Sequence, residues 1–183
     1  MRVLIDACVL VPSVLREMLL GAAAAGGFTP LWSARILEEW ARATRRLPEG
    51  AEAVARAEIA RLGRAWPEAV VAPDPDLEAR LSLPDPADLH VLAAAISGRA
   101  DVLMTLNRSD FPTRTLARHE LLLREPDGFL CELLAEGLDL ASVAEAAQRR
   151  SGALSGRSPT LRAMLKRAGL PRLGKALAPS SLS

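Results

Sequence analysis

Short apolar runs alternate along the chain with longer amphipathic segments. The first run, Arg-Val-Leu-Ile at residues 2–5, predicts a strand that ends at Asp6. Further extended runs lie at residues 28–32, 69–72, 100–106 and 119–123. Strands that alternate with helices are typical of a mostly parallel sheet covered by helices on both faces. The pattern therefore predicts an α/β protein built as a three-layer α/β/α sandwich.

The predicted helices carry apolar side chains at helical spacing. They cover residues 13–25, residues 34–40 after the N-cap Ser33, residues 51–65, a segment from the turn at 83–88 to about Ser97, and a segment from Asp127 onward. Beyond Gly137 the pattern is entirely helical, with a break predicted at 151–158. We therefore expect a core domain at residues 1–137 and a basic helical C-terminal extension at residues 138–183.

Charge separates the two ends of the chain. Of its 23 basic side chains, eight lie in residues 146–183, where none of its 22 acidic side chains occurs. These eight are Arg149, Arg150, Arg157, Arg162, Lys166, Arg167, Arg172 and Lys175. A basic tail on an acidic body is typical of a protein whose tail meets a polyanion, and the alternative is a solvated basic helix pair. With three Phe, three Trp and no Tyr, aromatic stacking on single-stranded nucleic acid is nearly excluded, so any such binding relies on charge.

Several other classes are disfavoured by composition. Cys8 and Cys131 show no CxxC spacing and only two histidines occur, which argues against a zinc site. No secretory signal and no apolar stretch long enough to span a membrane is present. Half of the residues are apolar and a quarter are charged, which favours a folded globule. We expect a cytoplasmic protein that does not bind membranes.

Acidic side chains stand beside the predicted strands. Asp6 ends the first strand, while Asn107 and Asp110 follow the strand at 100–106. Asp85 and Asp88 open the helix before that strand. Ligands of open parallel sheets bind at the carboxyl ends of the strands, so these side chains are expected on one edge. Clustered carboxylates need a counter-charge, and Mg²⁺ or Mn²⁺ with oxygen ligands supplies it, which predicts metal-assisted phosphodiester hydrolysis.

Each acidic residue also has a structural alternative. Asp85 and Asp88 fit a helix cap that needs no function. Asp6 could cap the helix that follows it, and Asp110 could bond its own loop backbone. Glu39, like most helix carboxylates, could simply be solvated. Only the coincidence of acids from several separate segments favours a site.

Four motifs together resemble the PIN domain, and the similarity is closest to bacterial PIN proteins related to the VapC toxins. They are the segment Asp-Ala-Cys-Val-Leu at 6–10, Ser33 with Glu39, residues 84–96, and residues 105–112. The resemblance covers roughly residues 1–135. It implies an α/β/α sandwich with a parallel sheet and an endoribonuclease that depends on Mg²⁺ or Mn²⁺.

The resemblance also implies roles for individual residues. Asp6, Glu39 and Asp88 match the first three acids of the family, with Glu39 preferred to Glu38 because it stands six residues after Ser33. Catalytic roles then go to Asp6, Glu39, Asp88 and Asp110, metal binding to Asp6, Asp88 and Asp110, and supporting roles to Asp85, Thr105 and Asn107. Many family members carry Asp where this chain has Asn107.

The resemblance to VapC toxins also implies binding partners. It implies RNA as substrate, a small antitoxin protein that covers the site, and a homodimer. In the tail, Arg162, Lys166 and Arg167 are candidates for binding RNA, while the apolar face of the same helix could instead pack on the body or on a second subunit. The alternative function is a non-catalytic PIN-fold module that binds RNA or protein.

Overall fold

The computed structural model describes residues 1–155 and 159–178. Within these residues the chain forms five strands: β1 Arg2–Ile5, β2 Thr29–Ser33, β3 Val70–Val71, β4 Val102–Met104 and β5 Leu122–Arg124. The strands form a parallel sheet in the order β3-β2-β1-β4-β5. In the centre of the sheet, Val3 of β1 is paired with Pro30 and with Val102. The predicted α/β class with a parallel sheet is confirmed.

Helices fill most of the rest of the described chain. They are α1 Ala7–Leu10, α2 Ser13–Ala24, α3 Ala34–Ala43, α4 Ala51–Ala65, α5 Pro75–Arg80, α6 Leu89–Ser97, α7 Thr113–Ala117, α8 Pro126–Ala135, α9 Leu140–Ser155, α10 Leu161–Arg167 and α11 Pro171–Ala176. Short 3₁₀ turns lie at Thr44–Arg46, Pro86–Asp88 and Arg108–Asp110. The hydrophobic pattern does not predict α1, α5 and α7, because helices of four to six residues are too short to show a hydrophobic period.

Two predicted boundaries are corrected. The last strand was expected at 119–123 but lies at Leu122–Arg124, because residues 119 and 120 still close the turn after α7. Glu120 adopts a positive φ of 57°, which a continuing strand would not allow. The break expected at 151–158 is wrong for residues 151–155, which continue α9. Residues 156–158 lie outside the described residues.

The chain divides into two compact units. The first unit consists of residues 1–11 and 28–124 and contains the sheet; the second consists of residues 12–27 and 125–183, so far as they are described. In the second unit α2 packs on α9 so closely that a Cβ at Gly21 would overlap the side chain of Val143. The boundaries between the two units therefore lie at residues 11/12, 27/28 and 124/125. The domain boundary expected at residue 137 stays a prediction.

The helical end of the chain is anchored within the second unit. Met164, Leu165 and Leu173 of α10 and α11 are almost fully buried. The carboxylate of Asp127 accepts the backbone N–H groups of Arg172 and Leu173, both at 2.9 Å, and so satisfies free donors at the start of α11. The tail is therefore a packed element rather than a solvated helix pair.

In the first unit, β2 leads directly into α3. Ser33 accepts the backbone N–H of Ile36 on its Oγ at 3.1 Å, and this bond confirms the predicted N-cap. Trp32, Ile36 and Trp40 are buried on the inner side of this segment. With that face held in the core, the position of Glu39 on α3 is set relative to the sheet. Among the described residues, no helix is long and apolar enough to cross a membrane.

Candidate active site

Asp6 stands where β1 ends, at the centre of the sheet. Its backbone N–H donates to the carbonyl oxygen of Met104 at 3.0 Å, which carries the pairing of β1 with β4 one residue further. The residue is only 5% exposed. Although Asp6 immediately precedes α1, its side chain makes no capping hydrogen bond there. The interpretation of Asp6 as a simple cap of α1 is therefore wrong, and its carboxylate is oriented by other groups.

Those groups are Thr105 and Cys8. The Thr105 hydroxyl donates to Asp6 Oδ2 at 2.7 Å, and the Cys8 thiol donates to the same oxygen at 3.1 Å. Thr105 Oγ1 also accepts the N–H of Asn107, and Cys8 Sγ accepts the N–H of Leu106. The end of β1 is thus joined to the loop after β4 by side chains. Both donors bond Oδ2, and this arrangement orients Oδ1 as well.

Sequence reasoning gave no role to Cys8, although its place two residues after Asp6 was visible. Burial and the negative charge of Asp6 raise the pKa of the Cys8 thiol to about 12. The thiol is therefore protonated at neutral pH and acts as a hydrogen-bond donor rather than a nucleophile.

Asp88 is an acidic side chain whose pKa is raised well above its ordinary value. Burial first, and then the negative charges of Asp6, Asp110 and Asp85, raise its pKa from 3.8 to about 6. Its side chain makes no capping bond to α6. Asp85, in contrast, accepts the backbone N–H of Ala87 at 2.8 Å and caps the 3₁₀ turn. The cap interpretation thus applies to Asp85, whereas Asp88 is a partly buried carboxylate close to other negative charges.

Glu39 is held by basic side chains. Its Oε1 accepts the Nε2–H of His90 at 3.0 Å and the Nε–H of Arg35 at 3.3 Å. Burial acts to raise the pKa of Glu39, but its hydrogen bond and electrostatic interaction with His90, followed by those with Arg35, outweigh burial and hold this pKa below its ordinary value. The neighbouring Glu38 instead pairs with Arg42 and Arg56. The structure therefore brings Asp6, Asp110 and Asp85 close enough to Asp88 for their charges to raise its pKa, after burial, and sets Glu39 beside His90.

The loop after β4 carries the remaining predicted residues. Asn107 is exposed, and its backbone is held by the bond to Thr105. Asp110 is half-buried in the 3₁₀ turn, where the Ser109 hydroxyl donates to its Oδ1 at 3.2 Å. In the second unit, Arg162, Lys166 and Arg167 are exposed on α10. Arg157 lies outside the described residues.

The donor set can be compared with the needs of a divalent ion. Among the residues that the structure describes, no three His, Cys, Asp or Glu side chains form a ready-made metal-binding group. Mg²⁺, however, usually keeps several waters and binds through one or two carboxylates plus substrate phosphate. Carboxylates that raise the pKa of Asp88 are the hard oxygen donors that such an ion prefers. The residues present therefore fit a hydrated Mg²⁺ or Mn²⁺.

We expect the Asp88→Asn variant to be more stable than the parent protein at pH 7 without metal. A carboxyl group with a raised pKa in the folded state makes the stability fall as pH rises between 3.8 and about 6. That shift corresponds to about 3 kcal/mol, which solvent screening of this partly exposed group reduces to about 1 kcal/mol. Urea unfolding at pH 4 and pH 7 in EDTA measures the effect, and a large loss of stability would restore the helix-cap interpretation.

Comparison with known proteins relates more than half of the chain to a family. A family model described as the PIN domain matches residues 2–109, which is more than half of the chain. The match covers the segments from Asp6 to Asn107 and ends just before Asp110. PIN domains are generally nucleases. No curated protein and no solved structure matches the chain.

Proposed function

The chain belongs to the PIN domain family, and from this premise we propose that it is a metal-dependent endoribonuclease that hydrolyses phosphodiester bonds of RNA. The observation that carries the proposal is that Asp6, Asp110 and Asp85 surround the partly buried Asp88 closely enough that burial first, and then their negative charges, raise its pKa. A carboxylate whose charge is disfavoured by neighbouring carboxylates is stabilised by a cation bound beside it. Glu38, in contrast, is neutralised by its ion pairs with Arg42 and Arg56.

In this proposal Asp6, Asp88 and Asp110 hold Mg²⁺ or Mn²⁺. When bound, such an ion activates a water molecule and neutralises charge on the phosphate that is attacked. Thr105 and Cys8 keep the Asp6 carboxylate in one orientation through their bonds to Oδ2. Asp85 shapes the turn before Asp88 and contributes negative charge.

Glu39 and Asn107 complete the proposed site. Glu39 stays ionised because its pKa is lowered, so it is suited to accept a proton or orient a water molecule. Asn107 offers a neutral side chain from an exposed position in the loop after Thr105. An amide oxygen can orient water or ligate weakly without adding to the negative charge around Asp88.

The proposal is tested with purified protein and labelled single-stranded RNA. Cleavage is expected with millimolar Mn²⁺ or Mg²⁺, and EDTA should abolish it. Cleavage of a circular RNA, which has no free ends, shows that the reaction is endonucleolytic. If RNA is bound but stays intact under all these conditions, the alternative of a non-catalytic RNA-binding module is supported instead.

The toxin role rests on the resemblance to VapC proteins. On that basis we propose that the chain is the toxin of a type II toxin–antitoxin pair, acts in the cytoplasm as a homodimer, and is covered by a small antitoxin protein. Its induced expression should then arrest bacterial growth, while Asp6→Asn should not. Sedimentation of the purified chain measures the dimer. Normal growth with active protein in the cells would remove the toxin role but leave the nuclease.

The basic side of α10 is proposed to bind RNA phosphates. Its apolar side is buried in the second unit, and Arg162, Lys166 and Arg167 are exposed. Replacing Arg162 and Lys166 together by Gln should lower the affinity for single-stranded RNA and flatten the plot of log affinity against log salt by about one unit or more. Cleavage preference should not change, because phosphate contacts do not read bases.

Fluorescence anisotropy at several salt concentrations measures this slope. The matched control replaces Arg61 and Arg64 of α4 by Gln, since both are exposed and the change in net charge is the same. If both double variants lose affinity equally, only net charge matters. If neither variant changes the slope, α10 has a packing role alone.

A further inference from the structure

His90 occupies a position that the proposed mechanism does not use. It is the second residue of α6, is 2% exposed, and stands two residues after Asp88. Its Nε2 lies 3.0 Å from Oε1 of Glu39, which belongs to α3. The bond therefore links the helix that follows Asp88 to the helix that carries Glu39.

The surroundings of the imidazole ring select one tautomer. Nδ1 is buried and has no hydrogen-bond partner among the described residues. A proton on Nδ1 would leave a buried donor unsatisfied and would turn the lone pair of Nε2 toward the carboxylate of Glu39. A proton on Nε2 lets the ring donate to Glu39 and leaves Nδ1 as a bare acceptor. The ring is therefore arranged as a donor to Glu39.

Arg35 donates to the same oxygen but in a different way. Its side chain is 53% exposed and is shared between Glu39 and Glu78, each at 3.3 Å. Exposed ion pairs of this kind contribute little to fixing a side chain. The His90 side chain is 3% exposed, so its rotamer is held by packing. Of the two donors, His90 is the one that can determine where the Glu39 carboxylate lies.

We propose that His90 is a positioning residue for Glu39: its Nε2–H holds Oε1 and thereby leaves Oε2 of the same carboxylate to face a ligand. The inference rests on the proposed function, because it concerns the same site. It adds a residue that neither the motif spacing nor the acid cluster singled out. The competing view is that His90 only fills the core beneath α3.

Nuclear magnetic resonance of the metal-free protein tests the bond directly. The chain contains two histidines, so the variant His119→Gln assigns the ¹⁵N ring signals of His90. The expected result is a proton on Nε2, with a clear change of its signal in Glu39→Leu. An Nε2 that carries no proton, or a signal that is insensitive to Glu39→Leu, overturns the inference without any reference to activity.

A double-mutant cycle on RNA cleavage tests whether His90 acts through Glu39. His90→Phe is expected to lower kcat by about 10- to 100-fold, as the loss of groups that orient an active-site ligand does. In the Glu39→Leu background the same change should have no further effect. His90→Gln, whose amide can donate, should restore part of the activity. The matched control Arg35→Gln, which removes the exposed donor to the same oxygen, should cost less than His90→Phe.

The outcomes separate this inference from the function on which it rests. If the parent protein cleaves RNA and His90→Phe costs the same with or without Glu39, the positioning role is wrong while the nuclease stands. If the parent protein does not cleave RNA, the proposed function is overturned, and the resonance experiment alone decides whether His90 holds Glu39. Thermal unfolding identifies a variant that fails to fold; if His90→Phe does so, the cycle is repeated with His90→Leu, and the resonance experiment is decisive in either case.

Discussion

Replacing Asp6 by Asn is expected to lower the rate of Mn²⁺-dependent RNA cleavage by about 10³-fold or more, since interactions with a bound metal supply several kcal/mol of transition-state stabilisation. The fold should survive, because an Asn side chain can still accept the bonds from Thr105 and Cys8 on its amide oxygen. Steady-state cleavage rates measure the expected loss of activity, and thermal unfolding in EDTA measures the expected stability of the fold.

The matched control for Asp6→Asn is Asp76→Asn, which changes an exposed acid at the start of α5 in the same unit. It should cleave RNA at the parental rate. Calorimetric titration with Mn²⁺ provides an independent measurement, and binding should weaken in Asp6→Asn but not in Asp76→Asn. An active Asp6→Asn enzyme would place the reaction elsewhere in the molecule.

Thr105→Val should have the second largest effect, a loss of about 10- to 100-fold in kcat. Valine has nearly the same shape, but it removes the donor to Asp6 Oδ2 and the acceptor for the N–H of Asn107. Because Thr105 is fully buried, these losses should also cost about 1–3 kcal/mol of folding stability.

Thr105→Ser keeps the hydroxyl and is the control for this prediction. It should retain most of the activity, although it loses a methyl group from the core. Comparing kcat with urea unfolding for the two variants separates orientation of Asp6 from general packing. Equal activities of the Val and Ser variants would show that the Cys8 thiol alone orients Asp6 sufficiently.

Much of the fold was readable from local patterns. The buried strands β1, β2 and β4 are short apolar runs, and Ser33 marks the start of α3 as a hydroxyl before a helical period. Such signals are local, so the sequence carries them without reference to distant contacts. The short helices α5 and α7, of six and five residues, are too short to carry such a period.

The acidic residues of the candidate site could not be told apart from the sequence pattern. Spacing along the chain could not separate Asp85 from Asp88, because both fit a capping arrangement before α6. In the structure Asp85 caps the 3₁₀ turn, whereas Asp88 makes no capping bond and lies near Asp6 and Asp110. Which of the two carboxylates accepts a hydrogen bond from a backbone N–H depends on side-chain geometry and not on residue type.

The sequence by itself determined the α/β class, the acids at the strand ends and the basic charge of the C-terminal segment, since these follow from periodicity, strand direction and composition. The tertiary structure alone decided that Cys8 and Thr105 share one oxygen of Asp6, that His90 bonds Glu39, and that α2 belongs to a unit with residues 125–178. The reason is physical: hydrogen bonds and burial join residues far apart in the chain, and local propensity contains no information about such pairs.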